Sequence, residues 1–224
     1  MTKSGIISAL AAKHGYVSYL EISTPLTGFE FDRVSFPGLG TRHRFAYWCR
    51  HDSDKQPALI RRDDLLLDAG SLREHAKYDI ILVDSHHTYE CSMRDLLLAR
   101  ALLAEGGTLV VHDSNPPDED IVTPPYRPGP WCGTTYAAVV DFVLNSSDLE
   151  HRTIDIDTGC TIIRRRRQDP GKSDADLAQI WERSRGDDEL RFKAFASLRH
   201  RLLNLVSLDE FLRDEGLKGL SHAQ

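Results

Sequence analysis

The 224-residue chain has few cysteines, no long apolar run and no excess of basic residues, and each absence excludes a class of protein. Its four cysteines form no Cys-x-x-Cys pair, so neither a structural zinc site nor a disulfide framework is expected. No apolar stretch reaches the roughly 18 residues of a membrane-spanning helix, and no signal-peptide layout opens the chain. A net charge of -6 argues against a general nucleic-acid-binding protein. We therefore expect a cytoplasmic protein without membrane or nucleic-acid partners.

The middle of the chain joins two strand signals through one helix signal. Residues 78–83 are a short apolar run typical of a buried strand, residues 89–103 have helical spacing, and residues 108–111 are a second strand. Such a unit is a right-handed parallel crossover, so both strands end at the same edge of one sheet. Asp84 follows the first strand and Asp113 the second. The functional site is expected there, because ligands bind outside the carboxyl ends of parallel strands.

Strand and helix signals alternate along most of the chain, which predicts an α/β sheet closed by an antiparallel hairpin. The further elements are a helix at 6–12, strands at 17–22 and 44–49, weaker elements at 63–67 and 72–76, a helix capped by Thr134, and a hairpin of 152–156 and 160–164. The proline-rich residues 116–130 predict a long loop of the kind that forms lids or binds ligands. The basic residues 164–167 are typical of a solvated strand end, with a phosphate or nucleic-acid patch as the alternative.

A polar segment, residues 168–173, is the best candidate for a linker. Three amphipathic helices are predicted beyond it, at 174–185, 188–206 and 208–212. They are expected to pack on the core, and packing on a second copy of the chain is the alternative.

The two acids at the strand ends are expected to approach a common ligand. With Asn115 and water, Asp84 and Asp113 would suit Mg²⁺ or another divalent cation, since these ions prefer oxygen ligands. For Asp84 the alternative is a cap on the helix that follows.

Three histidines, His86, His87 and His112, lie beside these acids and are candidate general bases, because histidine titrates near neutral pH. His112 has an alternative interpretation as a core histidine with satisfied ring nitrogens. Metal-dependent hydrolysis by His86, His87 and Asp113 stays open at this point.

Glu21 ends the first strand signal, where the first turn of a nucleotide-binding sheet meets its ligand. Glycine is expected in that turn because it lets the backbone approach the ligand, and Gly28 is the one glycine there. Trp131 is either an aromatic that stacks on a ligand or a packing tryptophan. Glu90 is assigned to the helix, where a carboxylate in the first turn is favourable.

Several motifs follow one another in a fixed order. They are Asp84-Ser85-His86-His87-Thr88-Tyr89-Glu90, Arg94-Asp95-Leu96, Gly106-Gly107, His112-Asp113-Ser114-Asn115-Pro116-Pro117, Trp131-Cys132-Gly133-Thr134 and Asp155-Ile156-Asp157-Thr158-Gly159-Cys160. This order resembles the class I S-adenosylmethionine-dependent methyltransferases, in particular small bacterial ones with DGxHxYE and HDxxPP motifs. The chain departs from that pattern at Ser85, where glycine is usual, and in the first turn, which is glycine-rich in the family.

The resemblance implies a methyltransferase domain at residues 1–167, with a seven-stranded, mostly parallel Rossmann-like sheet and a C-terminal antiparallel hairpin. Residues 168–224 would be a helical extension. The implied cofactor is S-adenosylmethionine. Its implied binding residues are Glu21, Ser23, Thr24, Gly28, Asp64 and Asp84.

In metal-dependent relatives, acids at the positions of Asp84 and Asp113 hold a divalent cation. The resemblance therefore implies a cation that activates the acceptor hydroxyl and a base, His87 or alternatively His86, that takes its proton. The expected acceptor is a small hydroxylated molecule, such as a sugar or a natural-product intermediate. The alternative is a methyltransferase-like binding or partner protein that has lost the cofactor.

Overall fold

The computed structural model describes residues 1–24, 30–46, 59–62, 65–67, 77–123, 129–166 and 175–217. In these ranges nine strands form one sheet in the order β4-β3-β2-β1-β5-β6-β8-β7-β9. The strands are β1 Ser18–Ser23, β2 Thr41–Ala46, β3 Leu59–Arg62, β4 Leu65–Leu67, β5 Tyr78–Asp84, β6 Leu103–His112, β7 Leu149–Ile154, β8 Cys160–Arg165 and β9 Leu205–Val206.

The four central strands β2, β1, β5 and β6 are parallel neighbours. Of the described strands only β3 and β8 run against the others, so the sheet is mostly parallel and β7 and β8 form the antiparallel pair. The Rossmann-like fold with its C-terminal hairpin is thereby confirmed. Seven strands were predicted and nine are described. β4 lies within the element predicted at 63–67, whereas β3 and the two-residue β9 were not predicted.

The described helices are α1 Lys3–His14, α2 Tyr89–Leu102, α3 Thr135–Leu144, α4 Ala175–Arg183, α5 Asp188–Leu202 and α6 Leu208–Asp214, with 3₁₀ turns at Phe31–Arg33 and Glu119–Ile121. As predicted, α1 ends at Gly15, which has a φ of 66° and donates its N–H to the last carbonyls of the helix. None of the described helices is long and apolar enough to cross a bilayer.

Helices cover both faces of the sheet. One face packs against α1 and α6 and buries Ile7, Leu10, Leu82, Val110 and Phe211; the other packs against α2 and α3 and buries Ile81, Val83, Leu96, Val111 and Phe142. Because side chains alternate along a strand, Asp84 continues the row of Leu82 and lies on the α1 side. This alternation places the polar end of β5 next to the start of α1.

Some predicted boundaries and caps were wrong. The helix predicted at 188–206 ends at Leu202, because Asn204 adopts a φ of 45° and turns the chain into β9, which pairs with β7. Thr88 caps α2 by accepting from the N–H of Cys91, so Asp84 is not the cap. Thr134 precedes α3 as predicted, but its side chain makes no capping hydrogen bond.

The helices after residue 174 pack on the sheet-forming part of the chain. Trp181 and Phe195, on α4 and α5, share an apolar cluster with Tyr136 and Val140 of α3. The domain boundary at residue 167 stays a prediction, because residues 167–174, including the predicted linker, lie outside the described ranges. So do residues 47–49 of the predicted second strand and the predicted element at 72–76.

Candidate functional site

The sheet register brings the two predicted acids to one edge. Asp84 pairs with Ser23 of β1, and Val83 pairs with Val111 of β6, two residues before Asp113. Both carboxylates are buried. The site predicted from the two strand ends is therefore assembled by the fold.

His87 lies between these carboxylates. Its Nε2 is 2.9 Å from Asp113 Oδ2 and 3.6 Å from Asp84 Oδ1. Neither approach has the geometry of a hydrogen bond, and Nε2 has no hydrogen-bond partner among the described residues. Nδ1–H donates to the carbonyl of Trp131 at 2.5 Å, which leaves the lone pair of a neutral ring on Nε2. The ring is thus oriented with Nε2 between two acids.

Asp113 is fixed by the loops around it. Its Oδ1 accepts from the Thr158 hydroxyl and from Cys132 Sγ, which is 3.3 Å away. The residue has a φ of 57°, in the left-handed region that an aspartate visits only at a cost. This conformation turns Oδ2 toward His87 and His112, whose Nδ1 is 3.2 Å away.

Two charged residues that were not predicted as site residues complete the cluster. Lys3 Nζ donates to Asp84 Oδ2 at 2.8 Å and lies 3.3 Å from His112 Nδ1. On the other side of the ring, His112 Nε2 donates to Asp157 Oδ2 at 2.9 Å. His112 is therefore part of the site rather than an isolated core histidine. The one local feature that could have pointed to Lys3 is its place in the first turn of a helix, where the helix dipole disfavours a cation.

The charges of the cluster shift one another's pKa values. Burial alone would raise the pKa of Asp84 and Asp113, but His87, His112 and, for Asp84, Lys3 hold both well below their usual range. Burial would lower the pKa of His87, but the two carboxylates outweigh it and raise that pKa to about 10. The pKa values of His112 and Lys3 are raised for the same reason.

Asp84, His87 and Asp113 are also the group that can hold a metal ion, since one ligand atom from each lies within 4.8 Å of the others. The unbonded Nε2 of His87 fits such a role. Asn115, predicted as the third ligand, donates its amide to Asp155 at 3.0 Å, and its oxygen accepts from Arg199 at 3.4 Å. Its side chain thus bonds to the hairpin and to α5.

The predicted cofactor side lies at the end of β1. Glu21 is buried, pairs with the guanidinium of Arg44 with Nε 3.0 Å from Oε1, and accepts from the Ser23 hydroxyl at 2.8 Å. Thr24 is buried directly after the strand. Gly28 and Asp64, which complete the predicted set, lie outside the described residues.

Trp131 packs against both histidines that follow Asp84. Its ring centroid is 5.3 Å from that of His87 and 5.4 Å from that of His86, and its Nε1–H donates to the carbonyl of Thr123 at 2.7 Å. In this structure the ring therefore packs against His87. Glu90 is exposed in the first turn of α2, in keeping with the structural role predicted for it.

The sheet order and the acids at its carboxyl edge define a Rossmann-like domain with a polar site at the strand ends. A model of a family described as a methyltransferase domain matches residues 6–114, a span that holds α1 from residue 6 onward, the central parallel strands, Asp84, His87 and Asp113. Residues 6–114 are therefore similar to the methyltransferase domain of that family. Among curated proteins none matches the sequence of this chain.

Two solved structures are similar to the chain. One is the O-methyltransferase TomG from Streptomyces achromogenes, involved in tomaymycin synthesis, in complex with SAM: identity is 16%, 73% of this chain and 79% of that chain are covered, and the TM-score is 0.46. The other is the SAH-bound Podospora anserina methyltransferase PaMTH1, with 13% identity, 74% and 80% coverage and a TM-score of 0.41. Likeness at this level says nothing about the substrate of the chain.

Proposed function

We propose that the protein binds S-adenosylmethionine and transfers its methyl group to the oxygen of a small hydroxylated acceptor, such as a sugar or a natural-product intermediate. The observation that carries this proposal is the buried, unbonded Nε2 of His87 at the carboxyl edge of the sheet. A site for transfer to a hydroxyl needs a base at that edge, because a neutral hydroxyl is a poor nucleophile.

His87 would serve as the base in its neutral form. The acceptor oxygen attacks the methyl carbon, the bond from that carbon to sulfur breaks, and the hydroxyl proton passes to His87 Nε2. Asp113 Oδ2, at 2.9 Å, then stabilises the imidazolium that forms. The hydrogen bond to the Trp131 carbonyl keeps the ring in the required tautomer, since that carbonyl can only accept. The remaining task is alignment of the acceptor oxygen with the methyl group.

We place the cofactor at the end of β1, beside Ser23 and Thr24. Ser23 is the register partner of Asp84, so a cofactor there would lie next to the base and its acids. Glu21 holds the end of this strand through Arg44. Calorimetric titration with S-adenosylhomocysteine tests the placement, and no binding at about millimolar concentration would rule it out.

A divalent cation is the alternative to a general base at this site. Asp84, His87 and Asp113 offer the ligand atoms, and their mixed oxygen and nitrogen set suits Mn²⁺ or Zn²⁺ at least as well as Mg²⁺. When bound, such a cation would lower the pKa of the acceptor hydroxyl. His87 would then serve as a ligand, and its Nε2 would not be available as a base.

The role of His87 can be tested with a panel of phenols, catechols and sugars, with formation of S-adenosylhomocysteine as the readout. We expect His87→Ala to lower kcat by roughly 10²- to 10⁴-fold, the usual contribution of a general base. His200→Ala is the matched control, because His200 is exposed on α5, and it should leave kcat unchanged. Turnover should rise with pH, since the pKa of His87 is about 10 and the base acts unprotonated.

Two results would contradict the proposed role of His87 as the base. One is a His87→Ala variant that keeps its turnover, and the other is a rate that falls as the pH rises from neutral. Binding of S-adenosylhomocysteine without methylation of any acceptor would instead favour a methyltransferase-like partner protein.

A further inference from the structure

The ammonium of Lys3 lies inside the candidate site. Nζ is 2.8 Å from Asp84 Oδ2 and 3.3 Å from His112 Nδ1, and 12% of the side chain is exposed. Asp84 is one of the three residues that can hold a cation. The ammonium of Lys3 therefore already pairs with Asp84, one of the expected metal ligands.

The position of Lys3 on its helix makes this contact informative. Lys3 is the first residue of α1, and no acidic residue lies in that first turn. The N-terminal end of a helix carries partial positive charge, so a lysine there is unfavourable unless an acid elsewhere offsets it. Lys13, in the last turn of the same helix, lies at the favourable end and pairs with Glu215. The offset for Lys3 comes from Asp84, which lies 81 residues away in the sequence.

The contact also limits what Asp84 can offer a metal ion. Oδ2 accepts from Lys3, which leaves Oδ1, 3.6 Å from His87 Nε2 and 3.8 Å from His112 Nδ1. A divalent cation on Oδ1 would lie close to the Lys3 ammonium in a buried site, where like charges repel strongly. Without any cation, the carboxylates of Asp84 and Asp113 would instead repel an acceptor oxygen as it loses its proton.

We propose that Lys3 supplies at Asp84 the positive charge that a divalent cation supplies in metal-dependent relatives, so that this chain transfers the methyl group without a metal ion. The inference rests on the proposed function and makes Lys3 a positioning residue. It offsets the charge of Asp84 and fixes the orientation of that carboxylate, while His87 remains free to act as the base.

Calorimetric titration with MnCl2 alone tests the proposal without any acceptor. We expect no saturable binding to the wild-type protein below about 1 mM, and binding at least about tenfold tighter by Lys3→Met, which keeps the length of the side chain and removes its charge. Lys3→Arg keeps the charge and should resemble the wild type. Lys13→Met is the matched control, since it removes an ion pair from the other end of the same helix. The affinity gained by Lys3→Met should disappear in the double variant Lys3→Met, Asp84→Asn.

Saturable wild-type binding below about 0.1 mM, or a Lys3→Met variant that binds Mn²⁺ no more tightly, would overturn the proposal. If thermal melting shows that Lys3→Met does not fold, the titrations of the wild type and of Lys3→Arg decide whether the proposal holds. Once an acceptor is known, EDTA should leave wild-type turnover unchanged. A loss of turnover in EDTA that Mg²⁺ or Mn²⁺ restores would contradict the proposed role of Lys3. Failure to methylate any acceptor would sink the proposed function and leave the titration result intact.

Discussion

At the residue scale, Gly133 controls how closely the loop before α3 approaches His87. A Cβ at this position would lie 1.9 Å from the His87 carbonyl oxygen, and the residue has a φ of 51°. The next residue, Thr134, donates its N–H to the same carbonyl at 2.7 Å. The backbone of His87 is therefore held by a loop that tolerates no side chain at residue 133.

We expect Gly133→Ala to destabilise the protein by more than about 3 kcal/mol, because the clash adds to the strain of a positive φ. Gly106→Ala is the control for strain alone, since Gly106 has a φ of 76° and nothing within 4 Å of its added Cβ. That control should cost about 1 kcal/mol, as urea denaturation can measure. Equal losses in the two variants would show that the contact with His87 is dispensable.

Asp84, His87 and Asp113 were predictable from the sequence because strand ends and short loops are local patterns. Lys3 and Asp157 were not, since their contacts with Asp84 and His112 join parts of the chain separated by 81 and 45 residues. No local pattern reports which distant side chain approaches a given acid. The fold decides that, through the packing of α1 on the sheet.

At the scale of elements, Asp141 of α3 joins the C-terminal helices to the core. It accepts from Tyr89 Oη at 2.7 Å, Trp181 Nε1 at 2.6 Å and Arg191 Nη2 at 2.7 Å. The guanidinium of Arg191 also lies 4.2 Å from the centroid of the Trp181 ring. One buried carboxylate therefore connects α2, α4 and α5.

Asp141→Asn should cost roughly 3–5 kcal/mol, because Arg191 would stay buried without its counter-charge. Asp148→Asn is the control: Asp148 pairs with Arg100 at the surface, where an ion pair contributes at most about 1 kcal/mol. Chemical denaturation of both variants gives the comparison. Similar losses would mean that the apolar cluster alone holds the helices.

The helical extension shows where helical spacing fails as a guide to boundaries. Apolar and charged residues continue at helical intervals to residue 206, yet α5 ends at Leu202. The carbonyl of Leu203 accepts from Thr153 N–H, so pairing with β7 overrides the local preference. The existence of the helix was predictable from sequence, whereas its end depends on a strand some 50 residues earlier.

At the scale of the whole molecule, the charge cluster joins α1, the ends of β5 and β6 and the turn of the hairpin. Lys3, His87, Asp113 and Asp157 belong to four segments that are distant in sequence. Global unfolding separates all of them. The protonation of this one site therefore influences the stability of the entire protein.

Stability should fall as the pH rises, because the pKa of His87 is about 10 in the folded protein against an ordinary 6.5. The charged ring contributes its full stability below pH 6.5, and that contribution is lost as the pH rises toward 10. His112 acts in the same direction, since its pKa is also raised. Urea midpoints measured in EDTA across this range should decline less for His87→Gln than for the wild type. A parallel decline in the two proteins would refute the linkage.

At Asp113, selection for stability and selection for the carboxylate favour different residues, because the backbone is in the left-handed region. Glycine or asparagine would relax the conformation, and either would remove the charge that faces His87. Either substitution at residue 113 would raise the stability of the protein and remove the carboxylate that faces His87. Thermal adaptation is therefore expected to proceed elsewhere in the chain, with the aspartate kept as long as the chemistry is needed.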